Sequence, residues 1–124
     1  MGKRSDFERV PKDLYRTIEE RAVTPVLPFL AAERITSYAE PCYGYGDLEG
    51  WLDAGGLSCA ARSDIRLYRG RRCPDVRRRD GLRLTREGLG GADAIITNPP
   101  WTRALLHGLI AHWLRLGVVS WLLF

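Results

Sequence analysis

The stretch AIITNPPW, Ala94–Trp101, decides the fold class of this 124-residue chain. It begins with four residues in an unbroken apolar or β-branched run, which is typical of a strand covered on both faces of a sheet. An asparagine and two prolines then end the strand, because proline lacks the amide hydrogen that a sheet ladder requires. An Asn-Pro-Pro turn taken alone is more often structural than functional. The surrounding sequence has to decide between the two interpretations.

Helix and strand patterns alternate on both sides of this stretch. Residues 13–32 have apolar residues at helical spacing, with Asp13 or Thr17 as a candidate cap and with interruptions at Pro25 and Pro28. The other predicted elements are, in chain order, a strand ending at Glu40, a helix over 48–56, a strand ending at Asp64, a strand over 92–98, a helix over 102–117 and a strand over 118–124. This alternation predicts βαβ units and a mostly parallel sheet in an α/β fold.

Composition indicates one globular domain over residues 1–124, with 45% hydrophobic and 27% charged residues. The net charge is +4, and its distribution is uneven: ten arginines lie between Arg62 and Arg86, where only three acids occur. Such a cluster suits a polyanion, since each neutralised phosphate releases counterions. A solvated surface loop explains a run of charge equally well.

The cysteines argue against a metal site or a disulfide framework. Cys42, Cys59 and Cys73 are odd in number and have no C-x-x-C spacing, which favours a reducing, cytoplasmic setting. The N-terminal MGKRSDFERVPKD is too charged for a signal peptide.

The segment Ala104–Phe124 is long enough to cross a bilayer. It carries His107, His112 and Arg115 near its middle, and each of these groups is costly in hydrocarbon. We therefore expect a buried helix followed by a buried strand, with no membrane association.

Distinctive residues follow each predicted strand, where ligands of open parallel sheets bind. Glu40 is followed by a turn in which Gly44 and Gly46 let backbone amides approach a ligand at a helix N-terminus. Asp64 follows this turn by about 20 residues, a spacing that suits a ribose-binding acid. Asp80 lies either at a further strand end, facing a base, or in an ion pair with the nearby arginines.

The opening stretch completes this series of strand ends. Asn98 has a carboxamide that both accepts and donates hydrogen bonds. Pro99 and Pro100 present carbonyl groups, and Trp101 has a flat face on which a base could stack. This environment suits an exocyclic amino group, because acceptors for its hydrogens would hold its lone pair toward an electrophile.

In this order the motifs resemble those of the class I S-adenosylmethionine-dependent methyltransferases. The likeness is to the amino-methylating group with an N/D/S-P-P-Y/F/W motif, and within it to small phage- and prophage-type DNA adenine methyltransferases. The motifs that carry it are DLYRT (13–17), EPCYGYG (40–46), SDI (63–65), RDGL (79–82) and NPPW (98–101). The resemblance covers essentially the whole chain and implies a Rossmann-like, three-layer αβα fold.

The resemblance also implies a role for each matching residue. S-adenosylmethionine would be bound by Tyr15, Thr17, Glu40, Pro41, Gly44, Gly46, Asp64, Asp80 and Asn98, and catalysis would use Asn98, Pro99, Pro100 and Trp101. Glu40 and the glycines would frame the methionine part of the cofactor, Asp64 would bind its ribose and Asp80 its adenine. Asn98 and the Pro99 carbonyl would bind the target amino group, while Trp101 stacks on a flipped base. No metal is implied.

Methylation of adenine N6 in DNA is the expected activity, and DNA the expected partner. The alternatives are methylation of an RNA base, methylation of a protein glutamine amide, or a prophage remnant that binds cofactor or nucleic acid without turnover. Tyr43 and Tyr45 favour the last of these, since the family has a small residue and an acid at these places. The family's last strands have no counterpart after Phe124, so we expect an incomplete sheet whose apolar end strand allows self-association.

Overall fold

The computed structural model describes residues 16–123. Its α-helices are α1 (Leu27–Ala32), α2 (Asp47–Ala54) and α3 (Arg103–Arg115). Its strands are β1 (Ser37–Glu40), β2 (Ser58–Asp64), β3 (Arg77–Arg78), β4 (Ala94–Thr97) and β5 (Val119–Leu122). Short 3-10 turns cover Glu20–Ala22, Thr24–Val26, Gly81–Arg83 and Glu87–Leu89.

The five strands form one parallel sheet in the order β3-β2-β1-β4-β5. Along the chain, β2 and β3 are added on one side of β1, and β4 and β5 are then added on the other side. The strand order therefore reverses between β1 and β4, and the crevice above such a reversal is where open α/β sheets bind ligands. The α/β, Rossmann-like expectation and the parallel sheet are confirmed.

Helices cover both faces of the sheet. Consecutive strand residues point to opposite sides, so each face has its own buried cluster. On one face Tyr38 and Ile96 pack in a buried cluster with Leu52 of α2. On the other face Ile95 packs with Trp113 of α3, whose side chain is fully buried. The result is three layers, as predicted, and an unbroken apolar β4 in which all four residues are buried.

The last strand, β5, pairs with β4 along its whole length and forms one edge of the sheet as described. Val119 at its start is 52% exposed, so this strand is less buried than we predicted. Over residues 16–123, no helix has the length and apolarity that a bilayer crossing would need.

The predicted helix over residues 13–32 is wrong for most of its length. Residues 16–19 are not helical, and only Leu27–Ala32 forms an α-helix after two 3-10 turns. Pro25 and Pro28 explain the difference, because neither has an amide hydrogen and each lies in the first turn of a new helical segment. Thr17 is therefore no helix cap, and Asp13 lies outside the described residues.

Candidate functional site

Three of the predicted site residues lie near one another at the carboxyl edge of the sheet. Glu40, Asp64 and Asn98 end or follow β1, β2 and β4, which are adjacent strands, and all three are buried. A narrow cleft lies between these strand ends. It is lined by Arg16, Thr17, Glu40, Cys42, Tyr43, Gly44, Tyr45, Asp47, Leu48 and Asn98.

The glycine turn over residues 41–46 is attached to the end of β2. The Gly44 amide donates to Asp64 Oδ2 at 2.7 Å, and the Tyr43 amide donates to the Ser63 carbonyl at 3.1 Å. Gly44 and Gly46 have φ values of 58° and 91°, a region that side chains disfavour. The turn thus needs glycine for its backbone conformation as well as for space.

We expect Gly46→Ala to destabilise the protein more than Gly56→Ala does. Both residues have positive φ, at 91° and 93°, so the backbone strain is matched. A Cβ at Gly46 would lie 2.5 Å from the Tyr43 hydroxyl, whereas one at Gly56 would meet nothing within 4 Å. The overlap should lower the free energy of unfolding by roughly 1–3 kcal/mol beyond the strain, measured by urea denaturation. Equal losses in the two variants would contradict this packing.

Glu40 is a buried carboxyl group at the end of β1. Its Oε1 accepts hydrogen bonds from the Thr97 hydroxyl and, at 3.0 Å, from the Cys42 amide. Burial raises the pKa of Glu40 to about 8, although these two hydrogen bonds oppose the shift. The nearby carboxylates of Asp64 and Glu49 raise this pKa further. A cation brought into the cleft would favour the ionised form of Glu40.

This raised pKa predicts a pH-dependent stability. Between the ordinary pKa of 4.5 and about 8, the folded protein keeps a proton on Glu40 that the unfolded chain loses, so stability falls as pH rises. The contribution should be about 2–3 kcal/mol between pH 5 and pH 7. Glu40→Gln should remove that slope, leaving a variant more stable than the wild type at pH 7. Parallel pH profiles in urea denaturation would show that Glu40 does not titrate in this way.

Asp64 holds its surroundings with both carboxylate oxygens. Oδ2 accepts from Gly44, and Oδ1 accepts from the Arg66 amide at 3.1 Å. Burial raises the pKa of Asp64, and these backbone hydrogen bonds oppose the rise. The acid therefore anchors the glycine turn to the loop after β2.

The Asn98 carboxamide is oriented by hydrogen bonds at both ends. Its Nδ2 donates to Thr17 Oγ1 at 3.2 Å, and its Oδ1 accepts from the Trp101 indole at 2.9 Å. Pro99 is fully buried, while Pro100 and Trp101 are half-buried. Thr17 on one side and Trp101 on the other thus fix the plane of the Asn98 amide.

The remaining predicted site residues are Asp80, Pro41 and Tyr15. Asp80 follows β3 by two residues and caps a 3-10 turn, its Oδ1 accepting from the Leu82 amide at 2.9 Å. It therefore lies at a strand end, and no ion pair with the arginines occurs within residues 16–123. Pro41 is buried in the glycine turn. Tyr15 lies outside the described residues.

Arg16 closes the outer side of the cleft. Its guanidinium group makes two hydrogen bonds with Asp47, at 2.8 and 3.0 Å, and lies 4.3 Å from the centre of the Tyr45 ring. The remaining space in the cleft holds little more than a water molecule. Arg16 therefore fills the mouth of the cleft.

The sequence did not indicate a buried ionic network beside the turn. Glu49 of α2 is buried, and both of its oxygens accept from Arg62 Nε at 2.9 Å. The Tyr43 hydroxyl also donates to Glu49. Burial raises the pKa of Glu49, but the hydrogen bonds from Arg62 and Tyr43 outweigh it and leave the pKa below its ordinary value. Arg62 is accordingly a structural partner of Glu49 rather than a surface cation.

No family model, curated protein or solved structure matches this chain. The part of the chain that the structure describes holds no group of three side chains suited to a metal ion.

Proposed function

We propose that this protein transfers a methyl group from S-adenosylmethionine to an exocyclic amino group, with adenine N6 in DNA as the substrate. The observation that carries the proposal is the position of Asn98. It is held by Thr17 and Trp101 at the reversal point of the sheet, beside the buried carboxyls of Glu40 and Asp64. Ligands of open parallel sheets bind at this place.

The groups around the cleft suit this cofactor in kind. The Asp64 carboxylate would accept hydrogen bonds from ribose hydroxyls. The buried Glu40 carboxyl, whose pKa is raised to about 8, would lose its proton when a cationic ligand enters the cleft. The space for the cofactor is taken by Arg16, which is bound to Asp47 and packed on Tyr45. This contact is half exposed, with 46% of the Arg16 side chain accessible, so solvent and salt weaken it and binding can displace it.

The bound cofactor would supply an electrophilic methyl group on its sulfonium sulfur. Asn98 Oδ1 and the Pro99 carbonyl would accept hydrogen bonds from the two hydrogens of the target amino group, which directs the nitrogen lone pair toward that methyl carbon. Held in this way, the nitrogen would displace the sulfur of the methyl donor from the methyl carbon, and its surplus proton would pass to water. Positioning is the main catalytic contribution, and no general base is required.

A tritiated methyl-transfer assay on separate DNA, RNA and protein pools tests the substrate class. We expect label in DNA above that in the other two pools. Label in RNA or protein alone would keep the chemistry and overturn the substrate, because the Asn-Pro-Pro-aromatic motif serves those amino groups as well.

A second candidate function is nucleic-acid binding without methyl transfer, and the closed cleft favours it. Tyr43 is buried against Glu49, and Arg16 covers the entrance, so the cleft is filled by protein. Isothermal titration calorimetry with S-adenosylmethionine separates the possibilities. Binding heat would support the methyl-transfer function, whereas the absence of binding heat, together with no methyl transfer to any pool, would support the second candidate.

A further inference from the structure

We propose that the stack formed by Arg16, Tyr45, Tyr68 and Arg66, here called the arginine–tyrosine stack, binds single-stranded DNA. The choice of DNA rests on the proposed function, while the binding chemistry rests on the stack itself. Nothing in the methyl-transfer mechanism above requires Tyr68 or Arg66.

The stack consists of two neighbouring tyrosine rings with one arginine at each end. The Arg16 guanidinium lies 4.3 Å from the Tyr45 ring centre, the Tyr45 and Tyr68 rings are 4.9 Å apart with a 39° tilt, and Arg66 lies 5.1 Å from the Tyr68 ring centre. Both tyrosines are half-buried, so their rings are supported by the protein and reachable from solvent. Bases stack on such rings and on guanidinium planes.

Exposed arginines occur near the stack residues in the chain. Arg66, Arg69 and Arg72 are exposed, and none of them forms an ion pair within residues 16–123. Asp47 is the one acid lining the open groove next to the stack, and Arg16 already neutralises it. Arg72 also interacts electrostatically with Glu49 and Asp53. The positive charge that a phosphate backbone would balance is therefore chiefly that of Arg66 and Arg69.

Arg66 is the arginine of the stack that can leave its ring without breaking an ion pair of the described residues. It is exposed and lies farther from its ring than Arg16 does, and its guanidinium group makes no ion pair within the described chain. When Arg66 turns to a phosphate, one face of Tyr68 becomes available to a base. This exchange needs an unpaired base, so the stack should prefer a single strand to a duplex.

The stack adjoins the Asn98 site through the backbone. Arg16 at one end of the stack is followed directly by Thr17, whose hydroxyl accepts from Asn98. A DNA strand lying on the stack would thus pass beside the cleft at the reversal of the strand order between β1 and β4. It would hold the nucleotides that flank a target base.

The test is fluorescence anisotropy with a labelled single-stranded DNA of about 12 nucleotides, at low salt and without cofactor. Tyr68→Ala should weaken binding at least about fivefold, and Tyr68→Phe should bind within about twofold of the wild type, because the ring is kept. Arg66→Ala should also weaken binding and lower the salt slope by about one.

Arg115→Ala is the matched control for Arg66→Ala. It removes the same charge from an exposed residue at the C-terminal end of α3, next to the amino edge of the sheet. Wild-type affinity in Tyr68→Ala, or equal weakening by Arg66→Ala and Arg115→Ala, would overturn the proposal. Tighter binding of a duplex or of single-stranded RNA of the same sequence would also overturn it. Since no methyl transfer is measured, failure here is distinct from failure of the proposed function.

Discussion

Asn98→Ala should lower methyl transfer at least about 100-fold and leave the affinity for S-adenosylmethionine nearly unchanged. The variant removes the acceptor that would orient the target amino group. It leaves in place Glu40, which accepts from Thr97 and Cys42, and Asp64, which accepts from the Gly44 and Arg66 amides. Single-turnover transfer of tritiated methyl groups gives the rate, and calorimetry gives the affinity.

Thr17→Val is the matched control for this prediction. It keeps the carboxamide of Asn98 and removes the hydroxyl that accepts from its Nδ2 at 3.2 Å. We expect roughly a tenfold loss of transfer, smaller than in Asn98→Ala, because a misoriented acceptor still functions part of the time. If Asn98→Ala lowers cofactor affinity as much as it lowers transfer, the residue binds cofactor rather than substrate, and its assigned role is wrong.

Arg62→Ala should lower the free energy of unfolding by about 3–5 kcal/mol. The substitution leaves the Glu49 carboxylate buried without its cation, and the Tyr43 hydroxyl alone cannot replace the three hydrogen bonds from Arg62. Because this network lies under the glycine turn, the loss should also loosen that turn. Urea denaturation at pH 7 measures the change.

Arg21→Ala serves as the comparison. Arg21 also pairs with a glutamate, Glu19, but the two side chains are 85% and 55% exposed. An exposed pair contributes at most about 1 kcal/mol. Similar losses in Arg21→Ala and Arg62→Ala would show that Glu49 is not an uncompensated buried charge in the variant.

The sheet and its main helices were predictable because their signals are local and strong. The unbroken apolar run of β4, the glycines after α2 and Gly117 after α3 indicate these elements without tertiary information. The β3 strand was not predictable, since it is only the dipeptide Arg77–Arg78 and is formed by pairing with the end of β2. The N-terminal helix was overpredicted, because Pro25 and Pro28 divide this part of the chain into separate short segments instead of only interrupting one helix.

The candidate site was predictable in outline and not in its contacts. The strand-end positions of Glu40, Asp64 and Asn98 follow from the order of the strands alone. The contacts of Arg16 with Asp47 and of Glu49 with Arg62 join residues 31 and 13 positions apart, and no local pattern indicates them. Thr17 was predicted to bind the cofactor. Its hydrogen bond to Asn98 joins residues 81 positions apart, and no local pattern indicates it.

Identification of the methylated nucleoside tests the central claim most directly. The wild-type protein is incubated with tritiated S-adenosylmethionine and unmethylated DNA, and the DNA is digested and separated into nucleosides. We predict that the label elutes with N6-methyldeoxyadenosine and disappears in Asn98→Ala. Label on a ring carbon of a base, or equal label with the wild type and Asn98→Ala, would contradict the assignment of Asn98 to an exocyclic amino group.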